Sequence, residues 1–284
     1  MRDLLSIHHA LKLIEARLLD EVSVSEMAEA AGYSLYHFIR TFDQIVYHTP
    51  YNYLIRRRLS EAAHELICST RRVIDIALDY RFGNPETFSR AFKRLFGMQP
   101  TQWRERGVLP HQGLMPPLSL AYLEHIHRSD FQKPELSEVP ARYVAGLMAR
   151  ISGQPGEVEQ LWRSLGRALE MQPPMKSPAS FFGVISYLED PAAESFYLAA
   201  VETPAPYWTA PYLVNRILPE GKYVRMTHCG PAETLPLTLT YLYHTWLPRA
   251  GLQPSYPLEI MDFGETPPWK KNNIGTMAFL LLVK

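Results

Sequence analysis

The chain has 284 residues, 46% of them apolar and 20% charged, with 29 Lys and Arg against 29 Asp and Glu. This is the composition of an ordinary globular protein, long enough for one to three domains with a sizeable core. Its two cysteines, Cys68 and Cys229, stand far apart, which excludes a disulfide scaffold and suits a reducing compartment.

Residues 1–20 lack a basic start followed by an apolar run, and the longest late apolar run, 277–283, is too short to span a bilayer. A soluble, cytoplasmic protein without membrane contact is therefore expected. Residues 4–19 form a helical pattern, with Leu4, Ile7, Leu11, Ile14 and Leu18 on one stripe. His8 and His9 lie within it at no metal-ligand spacing and are expected on the helix surface. Ser23 or Ser25 can cap a second helix that turns Met27, Ala28 and Ala31 inward, and Gly32 permits a sharp turn after it.

Residues 34–44 predict a first recognition helix, with Leu35, Phe38 and Phe42 toward the core. Tyr36, Arg40 and Asp43 share another face, flanked by His37 and Ile39. Residues 51–69 read as one connecting helix carrying Leu54, Leu59, Ala62, Ala63 and Leu66. At about 1.5 Å per residue it spans roughly 27 Å. That approaches the ~34 Å turn of B-DNA, so a rigid connector could set two recognition helices in successive major grooves. Arg56, Arg57 and Arg58 on this helix, with Arg71 and Arg72 beyond it, are expected as phosphate anchors.

The second recognition helix follows a short helical pattern at 73–79 and a turn at 80–83. Asn84 and Pro85 form an N-cap and first helical position, and Phe88, Phe92 and Phe96 recur every four residues. Glu86, Arg90 and Lys93 share its exposed face, with Thr87 and Ser89 beside them. The pattern repeats one found 50 residues earlier: Phe38, Arg40, Phe42, Pro50 and Tyr53 become Phe88, Arg90, Phe92, Pro100 and Trp103. The turn at Gly32 and Tyr33 matches Arg81 and Phe82 after a one-residue slip. Arginine on such a face can be bidentate to guanine or grip a phosphate, and glutamate can accept from cytosine N4. The blander alternatives are two unrelated amphipathic hairpins and ordinary solvated faces. Bulk charge does not separate them: residues 1–107 hold 15 Lys and Arg against 13 Asp and Glu, a net of only +2.

The run IALDYRFGNPETFSRAFKRLFGMQPTQWR at 76–104 closely resembles the signature of AraC/XylS-type transcription regulators, and the resemblance extends over about 4–106. It implies a monomeric, seven-helix, two-headed reader of double-stranded DNA. Carried over by position, it points to Tyr36, Ile39 and Arg40 in the first head and to Glu86, Thr87, Ser89 and Arg90 in the second; Lys93 joins them from the face described above. Where the family usually has glycine this chain has Arg81, so a different turn geometry is expected there. Ile39 replaces an often polar residue, so the first head reads a thymine methyl or contributes less.

Residues 108–133 are expected as a linker, interrupted by Pro110, Gly113, Pro116 and Pro117, although 118–127 could form a short strand or helix. From 134 the pattern changes. Strands are predicted at 142–151, 181–187, 196–201, 222–229, 258–263 and 275–283, with helices at 157–170 and about 234–249. Read as β-α-β-β twice, this is a pseudo-repeat with a cleft between copies: Arg142-Tyr143-Val144 matches Lys222-Tyr223-Val224, and Phe182-Gly183-Val184-Ile185 matches Leu258-Glu259-Ile260-Met261. The fold class is multidomain: an all-α N-terminal domain with two helix-turn-helix motifs (1–107), a linker (108–133) and an α+β C-terminal domain of duplicated β-α-β-β units (134–284).

The ordered motifs Pro140-Ala-Arg-Tyr-Val-Ala, Gly221-Lys-Tyr-Val, Thr245-Trp-Leu-Pro and Pro257-Leu-Glu-Ile resemble those of GyrI-like effector domains. Their fusion to an AraC-type reader is the layout of Rob-like regulators. This resemblance implies sensing of a small, cationic or aromatic effector. Glu259 in an apolar strand, where the first copy has Gly183, is the residue singled out: an inward carboxylate needs a partner, and a lipophilic cation can supply one. Tyr187, Trp208, Tyr223 and Trp246 are candidate aromatic walls. The alternatives are an outward Glu259 or one satisfied by a local arginine.

The leading expectation is a non-enzymatic regulator without metal or cofactor, with RNA polymerase as a further partner. The rival is suggested by GyrI-like domains that hydrolyse small electrophiles with a pocket Glu/Tyr pair. No nucleophile triad, zinc motif or phosphate loop supports it.

Overall fold

The computed structural model describes residues 2–110, 112–152, 154–171, 180–187, 195–204, 212–255, 258–268 and 276–284. Contacts divide the chain into two units, Met1–Ser129 and Asp130–Lys284.

The first unit contains α1 (Arg2–Ala16), α2 (Val24–Ala31), α3 (Leu35–Val46), α4 (Pro50–Cys68), α5 (Val73–Asp79), α6 (Pro85–Phe96), α7 (Pro100–Arg106) and α8 (Leu120–Ile126). Local chemistry sets their ends. Ser23 and Glu26 form a reciprocal capping box at α2. The Asn84 side chain accepts from the Thr87 amide, and Pro85 supplies a preset first turn to α6. Both α3 and α6 have twelve residues and end in left-handed caps, Tyr47 at φ 60° and Gly97 at φ 78°.

The 50-residue repeat extends to the packing. Ring centroids lie 5.4 Å apart for Phe38–Phe42 and 6.1 Å for Phe42–Tyr53; the counterparts Phe88–Phe92 and Phe92–Trp103 lie at 5.5 and 5.6 Å. All six rings are buried, and the Trp103 indole donates to the Ala63 carbonyl at 2.9 Å, which attaches the second head to α4. Leu35, expected inside, is 45% exposed, because it opens α3 before the buried stripe begins. Arg81 keeps the turn of its counterpart rather than altering it: its φ is 62°, against 71° at Gly32.

The stretch expected as a linker carries structure of its own. Met115, Leu118, Tyr122, Leu123 and Ile126 are buried, and α8 packs on α1. The His127 ring nitrogen Nε2 lies 2.8 Å from the Ile45 carbonyl near the end of α3.

The second unit is an eight-stranded antiparallel sheet with α9 (Glu157–Glu170) and a longer helical run. Its strands are β1 (Glu135–Val139), β2 (Arg142–Ile151), β3 (Phe181–Ser186), β4 (Ser195–Thr203), β5 (Val214–Leu218), β6 (Gly221–Cys229), β7 (Leu258–Asp262) and β8 (Thr276–Leu282). They are ordered β1-β6-β8-β7-β3-β4-β2-β5. β1 and β5 add to the predicted elements, so each repeat is β-β-α-β-β. Each of these lead strands pairs with the other repeat, β1 on β6 and β5 on β2. The β3–β7 register is centred on Val184–Ile260, which is what a two-fold relation with a 76-residue offset requires.

Two residues, 219 and 220, join β5 at one end of this order to β6 near the other, so the sheet must curl. Leu218 and Tyr223 accordingly share one core with Val144, Phe182, Val184, Leu198 and Ile260. The other face packs against α9, where Trp162 and Leu165 meet Tyr197, Ala199, Phe263 and Met277. The second helical run comprises α10 (Leu235–Tyr241), a π-helical turn (Leu242–Trp246) and α11 (Leu247–Ala250).

Candidate functional site

The first unit presents two outward faces built alike. On α3, Phe38 and Phe42 anchor the buried side, which leaves Tyr36 80% exposed, Ile39 41% exposed and Arg40 at the surface. On α6, Phe88 and Phe92 anchor the helix, and Glu86, Thr87, Arg90 and Lys93 are exposed while Ser89 is half-buried. Asp43, grouped with the exposed face of α3 in the sequence, is half-buried. The two faces differ chemically. That of α3 is largely aromatic and aliphatic around one arginine; that of α6 adds Lys93 and Arg94 to Arg90. At about 1.5 Å per residue, the nineteen residues of α4 make a connector roughly 28 Å long, to which both heads attach.

Arg57 and Arg58 are not the phosphate anchors expected of them. Arg57 is 2% exposed; its guanidinium grips both Glu15 carboxylate oxygens at 2.9–3.1 Å, reaches Glu61 at 2.6 Å and donates to the Met115 carbonyl at 2.5 Å. Arg58, 5% exposed, donates to the carbonyls of Leu18 at 2.8 Å and Asp20 at 2.5 Å. Arg56 is half-buried, and burial lowers its pKa to about 10. Arg71 is engaged by Glu65 and Asp79, and Arg72 by Asp75. Three consecutive arginines on a helix cannot share one face, and apart from Glu61 at i+4 the partners of Arg57 and Arg58 lie too far along the sequence to be read from spacing.

In the second unit Glu259 points inward and is 5% exposed. Its carboxylate accepts from the Tyr187 hydroxyl at 2.9 Å and from the Tyr243 hydroxyl in a very short hydrogen bond. Burial pushes the Glu259 carboxyl up from its ordinary value, and the two hydroxyls pull part of the way back. The same burial and the nearby carboxylate raise both phenols, so the tyrosines remain neutral donors. Two neutral phenols are thus among the groups that hold this desolvated carboxylate in place.

Of the proposed aromatic walls, the structure brings Tyr187 to Glu259. Trp246 is half-buried in the π-helical turn, three residues after Tyr243. Tyr223 belongs to the opposite sheet face, packed with Leu218, and its hydroxyl donates to the Pro219 carbonyl at 2.8 Å; it is therefore not a wall of the Glu259 site. Trp208 lies outside the described residues. Tyr243 was not singled out by sequence. The π-helical turn adds a residue to the helical repeat and shifts the phase by which inward residues are recognised.

The other repeat does not reproduce the site. A Cβ on Gly183 would meet the Tyr197 hydroxyl at 2.1 Å, and that hydroxyl accepts from the Trp162 indole at 3.1 Å. A tyrosine thus fills the space where the second repeat carries its carboxylate. Among the described residues, no group of three or more His, Cys, Asp and Glu could hold a metal ion, and no helix is long and apolar enough to cross a membrane.

Comparison with known proteins agrees with this division. A family described as a helix-turn-helix domain matches residues 5–106, and a GyrI-like small molecule binding domain matches 132–267. The transcriptional regulator Rob of Salmonella typhimurium is 30% identical over 273 residues, covering 89% of this chain and 91% of its own. The right origin-binding protein of Escherichia coli K12 is 28% identical over 280 residues with the same coverage. The transcriptional activator AarP of Providencia stuartii is 38% identical over 98 residues, 34% of this chain and 73% of its own.

Proposed function

This chain belongs to the Rob family of AraC-type, GyrI-like transcription regulators, and from that membership we propose which of its residues read DNA and which receive a signal. It is a DNA-binding transcription regulator. The first unit lays α3 and α6 in neighbouring major grooves, with Tyr36, Ile39 and Arg40 facing one half-site and Glu86, Thr87, Ser89, Arg90 and Lys93 the other. The α3 face suits a thymine-containing half-site through apolar contact; the α6 face suits guanine and phosphate through its cations. Replacing Arg40 or Arg90 with Ala is expected to weaken specific binding by ~1–3 kcal/mol each, leaving the fold intact. Unchanged operator affinity in both variants refutes the assignment.

The second unit takes a small, lipophilic, aromatic cation with Glu259 as its counter-charge. The observation that carries this is an acidic side chain buried on an apolar strand, with two phenol hydroxyls aimed at it. An entering cation favours the charged form of Glu259 that burial disfavours, and Tyr187, Tyr243 and Trp246 offer aromatic faces. Fluorescence titration with rhodamine 6G tests it: the Glu259→Gln variant should bind at least tenfold more weakly, while the neutral dye Nile red should be indifferent to the substitution. Equal rhodamine affinity in both proteins overturns the reading. RNA polymerase is proposed as the partner that converts DNA binding into a change of transcription, and the cytoplasm as the compartment, in keeping with two free cysteines.

A further inference from the structure

Arg81 stands in a turn whose counterpart is a glycine, and the backbone has not changed to accommodate it. Its φ of 62° is one that side-chain-bearing residues rarely adopt. The hydrogen bonds of the two turns also correspond: the Gly32 amide donates to Glu29 and the Tyr33 amide to Ala28, each at 2.9 Å, while the Arg81 amide donates to Leu78 and the Phe82 amide to Ala77, each at 3.0 Å. The side chain leaves its own head. Arg81 Nε donates to the Leu19 carbonyl, 62 residues earlier, at 2.5 Å.

Leu19 lies in the α1–α2 loop of the first head. The carbonyls on either side of it, Leu18 and Asp20, accept from Arg58 of α4. Three successive carbonyls just beyond the C-terminus of α1 are therefore taken by two guanidiniums, where the helix dipole favours cations. One guanidinium comes from the connector and the other from the second head. α4 packs against α2 and α3 of the first head and against α5, α6 and α7 of the second. Arg81 adds a direct strut across.

We propose that Arg81 is a positioning residue for operator recognition: by tying the second turn to the α1–α2 loop it fixes the spacing between α3 and α6, and so the separation of half-sites that the protein accepts. The proposal rests on the two-headed DNA reading above.

The test uses the full chain and a two-part DNA site selected by it from a random library. Affinity is measured for the selected site, for the same site with one base pair added or removed between the halves, and for DNA holding a single half-site. The Arg81→Gly variant accepts the same backbone, so it should fold. It should lose at least fivefold of the wild-type discrimination between spacings, with single-half-site affinity unchanged, and Arg81→Lys should recover part of the loss. Spin labels at Glu29→Cys and Thr101→Cys, in a background with Cys68 and Cys229 replaced by Ser, should give a broader inter-head distance distribution in Arg81→Gly. Wild-type discrimination in Arg81→Gly, or an unchanged distance distribution, overturns the proposal. A loss confined to single-half-site affinity overturns it too, as it makes Arg81 a DNA contact. Failure of the wild-type chain to select any two-part site overturns the two-headed reading itself.

Discussion

Replacing Arg57 with Ala separates a structural arginine from a phosphate contact. Arg57 ties α1, through Glu15, to α4, through Glu61, and to the 115–118 segment through the Met115 carbonyl. The Tyr53 hydroxyl completes the cluster, donating to Glu15 at 2.6 Å and accepting from the Leu118 amide at 3.1 Å. Removing the guanidinium leaves Glu15 with a neutral phenol as counterpart and frees the Met115 carbonyl. Breaking a buried pair from one side costs about 3–5 kcal/mol. The Glu15 side chain keeps 20% of its surface in water, which favours the lower end, about 3 kcal/mol. For a unit of this size that lowers the melting temperature by on the order of 10 °C. Calorimetry of the full chain measures it. In parallel, the slope of log affinity against log salt for operator DNA should not change, whereas loss of one phosphate contact would reduce it by about 0.9. A variant with wild-type melting and a reduced slope would refute the assignment and return Arg57 to the DNA surface.

Glu259 governs a pH dependence. Its folded carboxyl titrates above the ordinary value of 4.5, so between the two values the folded protein holds a proton that the unfolded chain has released. Stability therefore falls as pH rises through that window and stays reduced above it. Glu259→Gln should be more stable than wild type at pH 7.5 and should converge with it below about 4.5 in urea titrations. Rhodamine 6G binding should weaken as pH falls through the raised value, because the protonated acid offers no counter-charge; pH-independent binding would contradict this. Gly183→Ala should destabilise the second unit by about 1–3 kcal/mol, since the added methyl collides with Tyr197. Combining it with Tyr197→Phe, which removes the nearest atom, should recover part of the loss in a double-mutant cycle.

The two heads were legible because several local signals agreed. Phenylalanines at helical spacing, an Asn-Pro start and a 50-residue self-match each identify the same helices, and rings packed in local contact reveal themselves in sequence. The α4 arginines were not legible. Whether Arg57 meets phosphate or Glu15 depends on a helix 42 residues away. β1 and β5 escaped for a related reason: each is five residues long, and each pairs with a strand of the opposite repeat. In the effector site, an apolar strand interrupted by one acid marked Glu259. Tyr223 was placed beside it because aromatic type carries no information about which sheet face a residue occupies; the strand alternation and the curl put it on the other side.

The crossing-over of β1 and β5 makes each repeat incomplete without the other. A chain ending after β4 would leave β1 without its ladder partner and β2 with a bare edge. Two such chains could mend both defects at once by lending each other their first strand and joining along β3, which recreates the eight-strand order as a symmetric homodimer. Carrying both repeats in one chain frees the two copies from identity. One then places the Tyr197 hydroxyl against Gly183 while the other carries Glu259 at the matching position, a difference that a homodimer of identical copies could not hold.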